Sequence, residues 1–211
     1  MARMMHRMGI RSHVDEVVSI CVGPADLTLC EMVAAYNTFP SGGLYCEPLF
    51  VTRIEDNMGN TLSEFTKSKR QPLNEAVAYT MVQMMRGVVD GGTAGRLRST
   101  YGLTGEIAGK TGTTNDNSDG WFIGYTPTLT AGVWAGAEDR QVHFESIALG
   151  GGSNAALPIW GLFMKKVMAD GTLGVSPNDA FIRPSNMNMD AMGTGEGGEE
   201  VVDDVDESMF F

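Results

Sequence analysis

Three apolar runs separated by short connections constrain the fold of this chain more than any other feature. They cover residues 107–113, 121–125 and 129–135, and each is about as long as one strand of a sheet. Only Thr126-Pro127-Thr128 separates the second run from the third, and so tight a connection implies antiparallel pairing. Small residues recur in the third run, as they do where another element packs closely over a sheet: Ala131, Gly132, Ala135 and Gly136. The sequence therefore predicts an antiparallel sheet covered by other elements.

Three further segments have the apolar spacing of helices that bury one face. Thr28 and Glu31 form a capping box, and the stripe behind it consists of Leu29, Met32, Val33, Tyr36 and Phe39. Asn74 is expected to cap the second helix, whose stripe consists of Val77, Met81, Met84, Met85 and Val88. Ser153 or Asn154 is expected to cap the third, which continues through Leu162, Phe163, Val167 and Met168. The fold class is therefore α/β of the α+β kind, an antiparallel sheet with packed helices.

Shorter patterns complete the expected body of the protein. The segments 47–55 and 61–65 read as the two strands of a hairpin. The basic cluster Lys67, Lys69 and Arg70 reads as a solvated loop. Cys30 lies in an apolar helical pattern, which favours a small buried thiol, and a disulfide with Cys21 or Cys46 stays open.

Most of the negative charge lies at the C-terminal end. The formal net charge is -11, and residues 186–211 carry eight Asp or Glu and no Lys or Arg. We expect residues 1–184 to form a partial domain and residues 185–211 to be an acidic disordered tail, because the tail has no apolar periodicity. The body has no basic face, which argues against nucleic-acid binding. We also expect no membrane segment in this chain, no cofactor and no metal, because no long apolar run and no His or Cys spacing typical of ligands is present.

The first of the three apolar runs ends in a segment that combines one lysine, three threonines and two glycines, Gly109-Lys110-Thr111-Gly112-Thr113-Thr114. Side chains alternate along a strand, so Lys110 and Gly112 share one face, and Thr111 and Thr113 share the other. Because Gly112 has no side chain, a ligand backbone could approach closely there. A lysine charge, two hydroxyl groups and free backbone amides at a sheet edge are suited to binding a carboxylate.

Gly-Lys-Thr also occurs at the end of phosphate-binding loops, but the context differs. Such a loop requires glycine at the position of Thr104, whereas the nearest candidate is Gly105, and it should run directly into a long helix. Here a turn-rich stretch and a further strand follow. The second interpretation is the Lys-Thr-Gly element of penicillin-recognising serine acyltransferases. The third is an ordinary hairpin that carries a surface lysine.

Several segments, in order, resemble class A penicillin-binding proteins. The tripeptide Lys110-Thr111-Gly112 is followed by Thr113-Thr114-Asn115 and then by Trp121-Phe122-Ile123-Gly124-Tyr125-Thr126-Pro127, which is the most specific part of the resemblance. The other matching segments are Glu31 to Tyr36 with Phe39 and Gly42-Gly43, Arg53 to Asp56, Met85 to Val89 with Gly92-Thr93-Ala94, and Gly150-Gly151 with Pro158-Ile159-Trp160. The resemblance extends from about residue 9 to residue 170.

This resemblance implies a partial penicillin-binding, β-lactamase-like transpeptidase fold and a role in peptidoglycan cross-linking. It implies that Lys110 attracts the terminal carboxylate of the stem peptide or of a β-lactam, and that Thr111 and Thr113 hydrogen-bond it beside Gly112. It also implies that the Thr113 backbone amide is one half of an oxyanion hole. The parent proteins are membrane-anchored and work on the cell-wall-facing side of the cytoplasmic membrane, so we expect the same location.

The family places its nucleophile in Ser-x-x-Lys and a second element in Ser-x-Asn, both ahead of Lys-Thr-Gly. Ahead of Lys110 this chain has neither element. It therefore resembles the C-terminal part of a transpeptidase domain, and without the serine nucleophile and its base we expect it to be inactive alone. Two alternatives remain: a fragment of a class D-like β-lactamase, and a non-catalytic module that binds D-Ala-D-Ala peptides.

Overall fold

The structure, a computed structural model, describes residues 1–185. The predicted acidic tail therefore lies, apart from Ser185, outside the described residues. The helices are α1 (Ala2–Arg7), α2 (Leu29–Tyr36), α3 (Glu75–Asp90), α4 (Arg96–Ser99), α5 (Ile147–Gly150) and α6 (Ala156–Ala169). The strands are β1 (Tyr45–Cys46), β2 (Arg53–Glu55), β3 (Thr61–Glu64), β4 (Lys69–Arg70), β5 (Ala108–Thr113), β6 (Asp119–Tyr125) and β7 (Thr130–Gly136). Within this part of the chain, no helix is both long and apolar enough to cross a membrane.

The central sheet has the strand order β5-β6-β7, and both pairs are antiparallel, as the sequence predicts. Directly opposed residues share a face. One face therefore carries Lys110, Ile123 and Gly132, and the other carries Thr111, Phe122 and Val133.

Each face of this sheet is covered by a helix. On the Lys110 face, a Cβ atom added to Gly132 would lie 2.5 Å from Cγ2 of Val33, so the glycine lets α2 approach closely. On the Thr111 face, the Phe122 ring packs edge-on against the Trp160 indole of α6 at a centroid distance of 5.2 Å. The prediction that small residues mark close packing over the sheet is thereby confirmed.

The main core lies between the central sheet, α6 and the end of α3. Its fully buried large side chains include Phe122, Trp160, Leu157 and Met164. The indole nitrogen of Trp160 donates to the carbonyl oxygen of Ala131 at 3.0 Å, so this buried polar group is satisfied. Burial of these side chains is the main stabilisation of the sheet.

The α3 and α6 helices form where the sequence predicts them, and each buries only part of its predicted stripe. Met85 and Val167 are buried, and Met81, Val88 and Met168 pack against the core. In α3 the buried residues are Ala78, Val82, Met85 and Val89, whereas Val77 and Met84 are exposed by 45% and 64%. The α3 sequence contains two sets of apolar residues with helical spacing, and one set is displaced from the other by one residue. Only packing against the neighbouring elements determines which residues are buried. In α6, Leu162 and Phe163 are exposed, and the helix begins after Ala155 without a side-chain cap, so neither Ser153 nor Asn154 caps it.

Three smaller predictions also need correction. The expected strand over residues 47–55 is broken, because Pro48 has no backbone N–H to donate to a strand ladder. The residues just before it, β1, pair with β4. Within the expected strand, only Arg53–Glu55 pairs with β3. The basic cluster is not a free loop, since Lys69 and Arg70 form β4 and the Arg70 guanidinium lies 4.6 Å from the centroid of the Tyr45 ring. Cys30 is exposed, because α2 buries Ala34 and Ala35 instead.

Glu31 ties the N-terminal segment to α2. The predicted capping box with Thr28 is present, and the same carboxylate accepts hydrogen bonds from the backbone amides of Arg11 and Ser12 and from the Ser12 hydroxyl. Partial burial acts against ionisation, but these hydrogen bonds and those from Thr28 outweigh it and lower the pKa of Glu31 to about 2. Glu31 is therefore charged in the folded protein at any pH above about 3.

Replacing Glu31 should destabilise the fold and change its response to acid. Glu31→Ala removes the capping box and the anchor of residues 11–12, and we expect a loss of about 1–2 kcal/mol at pH 7 in urea denaturation. Glu31→Gln preserves the shape of the cap but not the charge, so its loss should be smaller.

The pH dependence provides the control for this prediction. A carboxyl whose pKa is lowered by folding stabilises the protein above its unfolded value of about 4.5, and the contribution disappears as pH falls toward 2. The stability gap between the native chain and Glu31→Gln should therefore close between pH 4.5 and pH 2. A gap that stays constant over this range would contradict the assignment.

Candidate functional site

The strand β5 presents Lys110 at the surface, on the face of the sheet that also carries Gly112. Lys110 is exposed, and its ammonium donates to the carbonyl oxygen of Thr111 at 2.7 Å. Among the residues that the structure describes, no carboxylate forms a salt bridge with Lys110. Two of the three ammonium protons thus remain available, and the charge is not neutralised by a carboxylate. This arrangement favours binding of an anion.

The hydroxyl groups of Thr111 and Thr113 lie on the other face, as the strand alternation predicts. Thr111 Oγ1 lies 2.9 Å from Thr93 Oγ1, in the turn that follows α3. Thr113 Oγ1 accepts a hydrogen bond from the Gly152 amide at 2.9 Å. A hydroxyl that accepts one bond still has its own proton to donate, so Thr113 is oriented by the protein and remains able to bind a carboxylate oxygen.

The Thr113 amide points away from β6. The Thr114 amide donates to the carbonyl oxygen of Asp119 at 3.1 Å, which makes that pair a hydrogen-bonded one. Hydrogen-bonded and non-hydrogen-bonded pairs alternate along an antiparallel ladder. The next pair, Thr113 with Gly120, is therefore non-hydrogen-bonded, and the Thr113 N–H lies on the outer side of β5. Since β5 is an edge strand of its sheet among the described residues, the ladder leaves this amide free to donate to a ligand, and its part in an oxyanion hole stays a prediction.

A cavity of about 1130 Å³ opens beside the Lys110 face of the strand. One wall consists of residues 110–114 with Trp121 and Trp134, and the opposite wall consists of residues 20–27 with Met32 and Tyr36. The side chain of Trp121 covers Gly112, because a Cβ atom added there would lie 3.2 Å from the Trp121 Cβ. Gly112 thus makes room for Trp121, and its contact with a ligand backbone stays a prediction.

The backbone of residues 150–152 supports the strand from the Thr111 face. A Cβ atom added to Gly152 would lie 2.3 Å from the Gly112 carbonyl oxygen and 2.4 Å from that of Trp121. One added to Gly120 would lie 2.9 Å from the Gly150 carbonyl oxygen, so both sides of this contact require glycine. From the sequence, Gly150 and Gly151 were used only as part of the family resemblance. The sequence signal for this role was the run of three glycines itself, because it indicates a backbone that packs closely against its neighbours where no side chain fits.

The structure does not assemble a nucleophile around these groups. No serine hydroxyl in residues 1–185 is hydrogen-bonded to a lysine or histidine side chain, which is the usual arrangement for activating it. The only Ser-x-Asn tripeptide in the sequence is Ser176-Pro177-Asn178, which follows Lys110 instead of preceding it. Asp179 beside it accepts a hydrogen bond from Thr128, at the end of the sheet opposite Thr113. The same described residues contain no group of three or more side chains that could hold a metal ion.

The fold and the strand define a recognised class of protein. A family model described as the penicillin binding protein transpeptidase domain matches residues 11–146. The chain is 35% identical over 166 residues to penicillin-binding protein 1A of Aquifex aeolicus, covering 79% of this chain and 21% of that protein. It is 33% identical over 190 residues to penicillin-binding protein 2D of Bacillus subtilis, covering 85% and 25%.

Solved structures agree with the sequence comparisons. Penicillin-binding protein 1A from Haemophilus influenzae has a TM-score of 0.70 at 22% identity, over 80% of this chain and 30% of that chain, and it shows the same fold. The PonA1 protein from Mycobacterium tuberculosis, in complex with penicillin V, has a TM-score of 0.66 at 26% identity, over 86% and 51%.

The chain belongs to the penicillin-binding protein transpeptidase family, as the resemblance to class A penicillin-binding proteins predicted. It spans between about a fifth and a quarter of the length of the two relatives described above.

Gly152→Ala tests the support of the strand. Because the added methyl group would collide with two backbone carbonyl groups, residues 150–152 must move away from β5, and we expect a loss of about 1–3 kcal/mol in unfolding free energy. The NMR signals of Thr113 and Gly120 should shift with it. Gly171→Ala is the matched control, because a Cβ atom there meets nothing within 4 Å. Equal stability of the two variants would contradict the close contact.

Proposed function

We propose that this chain supplies the carboxylate-binding strand and one oxyanion-hole donor of a peptidoglycan D,D-transpeptidase. The observation that carries the proposal is the combination on β5 of three groups: the Lys110 ammonium, which forms no salt bridge with a described carboxylate, the oriented Thr113 hydroxyl and the outward Thr113 amide. Its substrates are the D-Ala-D-Ala end of a peptidoglycan stem peptide and, as inhibitors, β-lactams. Both present a carboxylate near a reactive carbonyl group.

In this proposal each group on the strand has a separate task. Lys110 attracts the ligand carboxylate as a point charge, and the hydroxyl groups of Thr111 and Thr113 fix its oxygens. The Thr113 amide donates to the carbonyl oxygen of the scissile or β-lactam bond, where negative charge develops during acyl transfer. The acylation itself requires a serine nucleophile and a base, which residues 1–185 do not provide at this site. In this proposal they come from another stretch of polypeptide, and residues 1–185 are inactive without it.

The relatives support this proposal over the β-lactamase alternative. The curated relatives described above are named penicillin-binding proteins, and the matched family model is a transpeptidase domain. A transpeptidase of the cell wall works on the outer side of the cytoplasmic membrane, which is where we propose that this chain acts.

Reversible binding of a D-Ala-D-Ala peptide tests the proposed strand. We expect acetyl-D-Ala-D-Ala to shift the NMR signals of Lys110, Thr111 and Thr113 in the native chain. Lys110→Ala should weaken this binding about tenfold or more, because a charge-assisted hydrogen bond is lost.

Lys166→Ala is the matched control, since Lys166 is exposed in the last turn of α6 and lies outside the cavity. It should bind the peptide like the native chain. Peptide binding that is unchanged in Lys110→Ala, or that shifts signals elsewhere in the molecule only, would refute the proposed function.

A further inference from the structure

The carboxylate of Asp119 connects three parts of the structure at the end of the candidate strand. Its Oδ1 accepts from the Trp134 indole nitrogen at 2.7 Å, and its Oδ2 accepts from the hydroxyl groups of Thr114 at 3.1 Å and Ser118 at 3.3 Å. The side chain is only 12% exposed. A carboxylate this enclosed requires its donors, because a buried charge without partners is costly. Asp119 and its hydrogen-bond donors therefore restrict one another's positions.

These bonds close the β5–β6 ladder in an unusual way. The Thr114 amide donates to the Asp119 carbonyl oxygen, but the Asp119 amide donates to the Thr114 hydroxyl at 2.9 Å instead of to a backbone carbonyl. The Thr114 hydroxyl can then donate only to the Asp119 carboxylate or to Ser118. The direction of the strand at Thr114 thus depends on the Asp119 side chain.

The turn that Asp119 closes is strained. Asp116 and Asn117 both have φ of +57°, a left-handed conformation that is uncommon for residues other than glycine. Such residues persist only where the surrounding contacts determine them, and here Thr114 and Ser118 flank the turn on either side. The carboxylate of Asp119 accepts hydrogen bonds from both flanking residues, so it holds the two ends of the turn together.

We propose that Asp119 is a positioning residue, which through Thr114 sets the direction of the Thr113 amide toward the ligand carbonyl oxygen. The proposal rests on the proposed function of β5. Thr113 directly precedes Thr114, so the Thr114–Asp119 pair fixes the strand on the C-terminal side of the Thr113 amide. Asp119 touches neither Lys110 nor a ligand carboxylate. Because the Gly152 amide holds the Thr113 hydroxyl separately, the loss of Asp119 affects the contact with the carbonyl group more than the contact with the carboxylate.

Two probes separate these contacts. Acetate presents only a carboxylate, whereas acetyl-D-Ala-D-Ala presents a carboxylate and the carbonyl group of the bond to be attacked. In Asp119→Ala we expect the dissociation constant of the dipeptide to rise about fivefold, which corresponds to the loss of one hydrogen bond, while that of acetate changes by less than twofold. Asp119→Asn retains an acceptor for the Trp134 indole and should restore most of the dipeptide affinity. Equal changes for both probes, or no change for either, would overturn the proposal.

The NMR signal of the Thr113 amide tests the proposal independently of any ligand. Asp119→Ala should shift this signal and speed hydrogen exchange of the Thr114 amide, whereas Asp170→Ala should change neither. Asp170 is the control, because its carboxylate also accepts a hydrogen bond from a threonine hydroxyl, that of Thr172, together with one from the Thr172 amide. If the native chain binds neither probe, the proposed function fails. The positioning role is tested separately, because an unchanged Thr113 signal in Asp119→Ala would refute it in either case.

Trp134→Phe is the second variant, in case Asp119→Ala does not fold. It preserves an aromatic ring beside Trp121 and removes only the donor to Asp119 Oδ1. The same shift of the Thr113 signal is expected, smaller because the two hydroxyl donors remain. A Thr113 signal identical to that of the native chain would count against the proposal.

Discussion

The antiparallel ladder between β5 and β6 is the interaction on which the rest of the structure depends. It pairs residues 108–113 with residues 120–125 in a register without shifts. This register assigns Lys110 to the face covered by α2 and the two threonine hydroxyls to the face covered by α6. A slip of one residue would exchange the two faces and would bury the lysine against Trp160. The core and the candidate site therefore require the same register.

Glycine lets the structure build this strand with support on one side and access on the other. The backbone of residues 150–152 lies directly on β5 and β6. The Gly152 amide donates to the Thr113 hydroxyl oxygen and orients it, and the hydroxyl proton remains available for a ligand. Asp119 closes the ladder just beyond Thr113. The Thr113 hydroxyl and amide are consequently held in place by backbone contacts and hydrogen bonds. This is the rigidity that electrostatic stabilisation of an oxyanion requires.

The sequence predicts the sheet and its alternation well because both follow from period and turn length. The three strands form within one or two residues of the expected positions, and Lys110 and Thr111 lie on opposite faces as expected. Met85 of α3 and Val167 of α6 are buried as predicted, but the complete buried faces could not be predicted, since each helix carries more than one apolar stripe. Ile159, Leu162 and Phe163 of α6 stay exposed for this reason. The supports of the site, Thr93, Gly152 and Asp119, were also missed, because two of them lie far from β5 in sequence and Asp119 looks like an ordinary turn residue.

The intact mass of the chain after incubation with benzylpenicillin tests the central claim most directly. The chain is measured with and without the penicillin. The account predicts no covalent adduct, because the proposed ligand groups on Lys110 and Thr113 are accompanied by no activated serine among residues 1–185. A stable adduct on this chain alone would contradict the account, since it would mean that one of its own serines is an activated nucleophile.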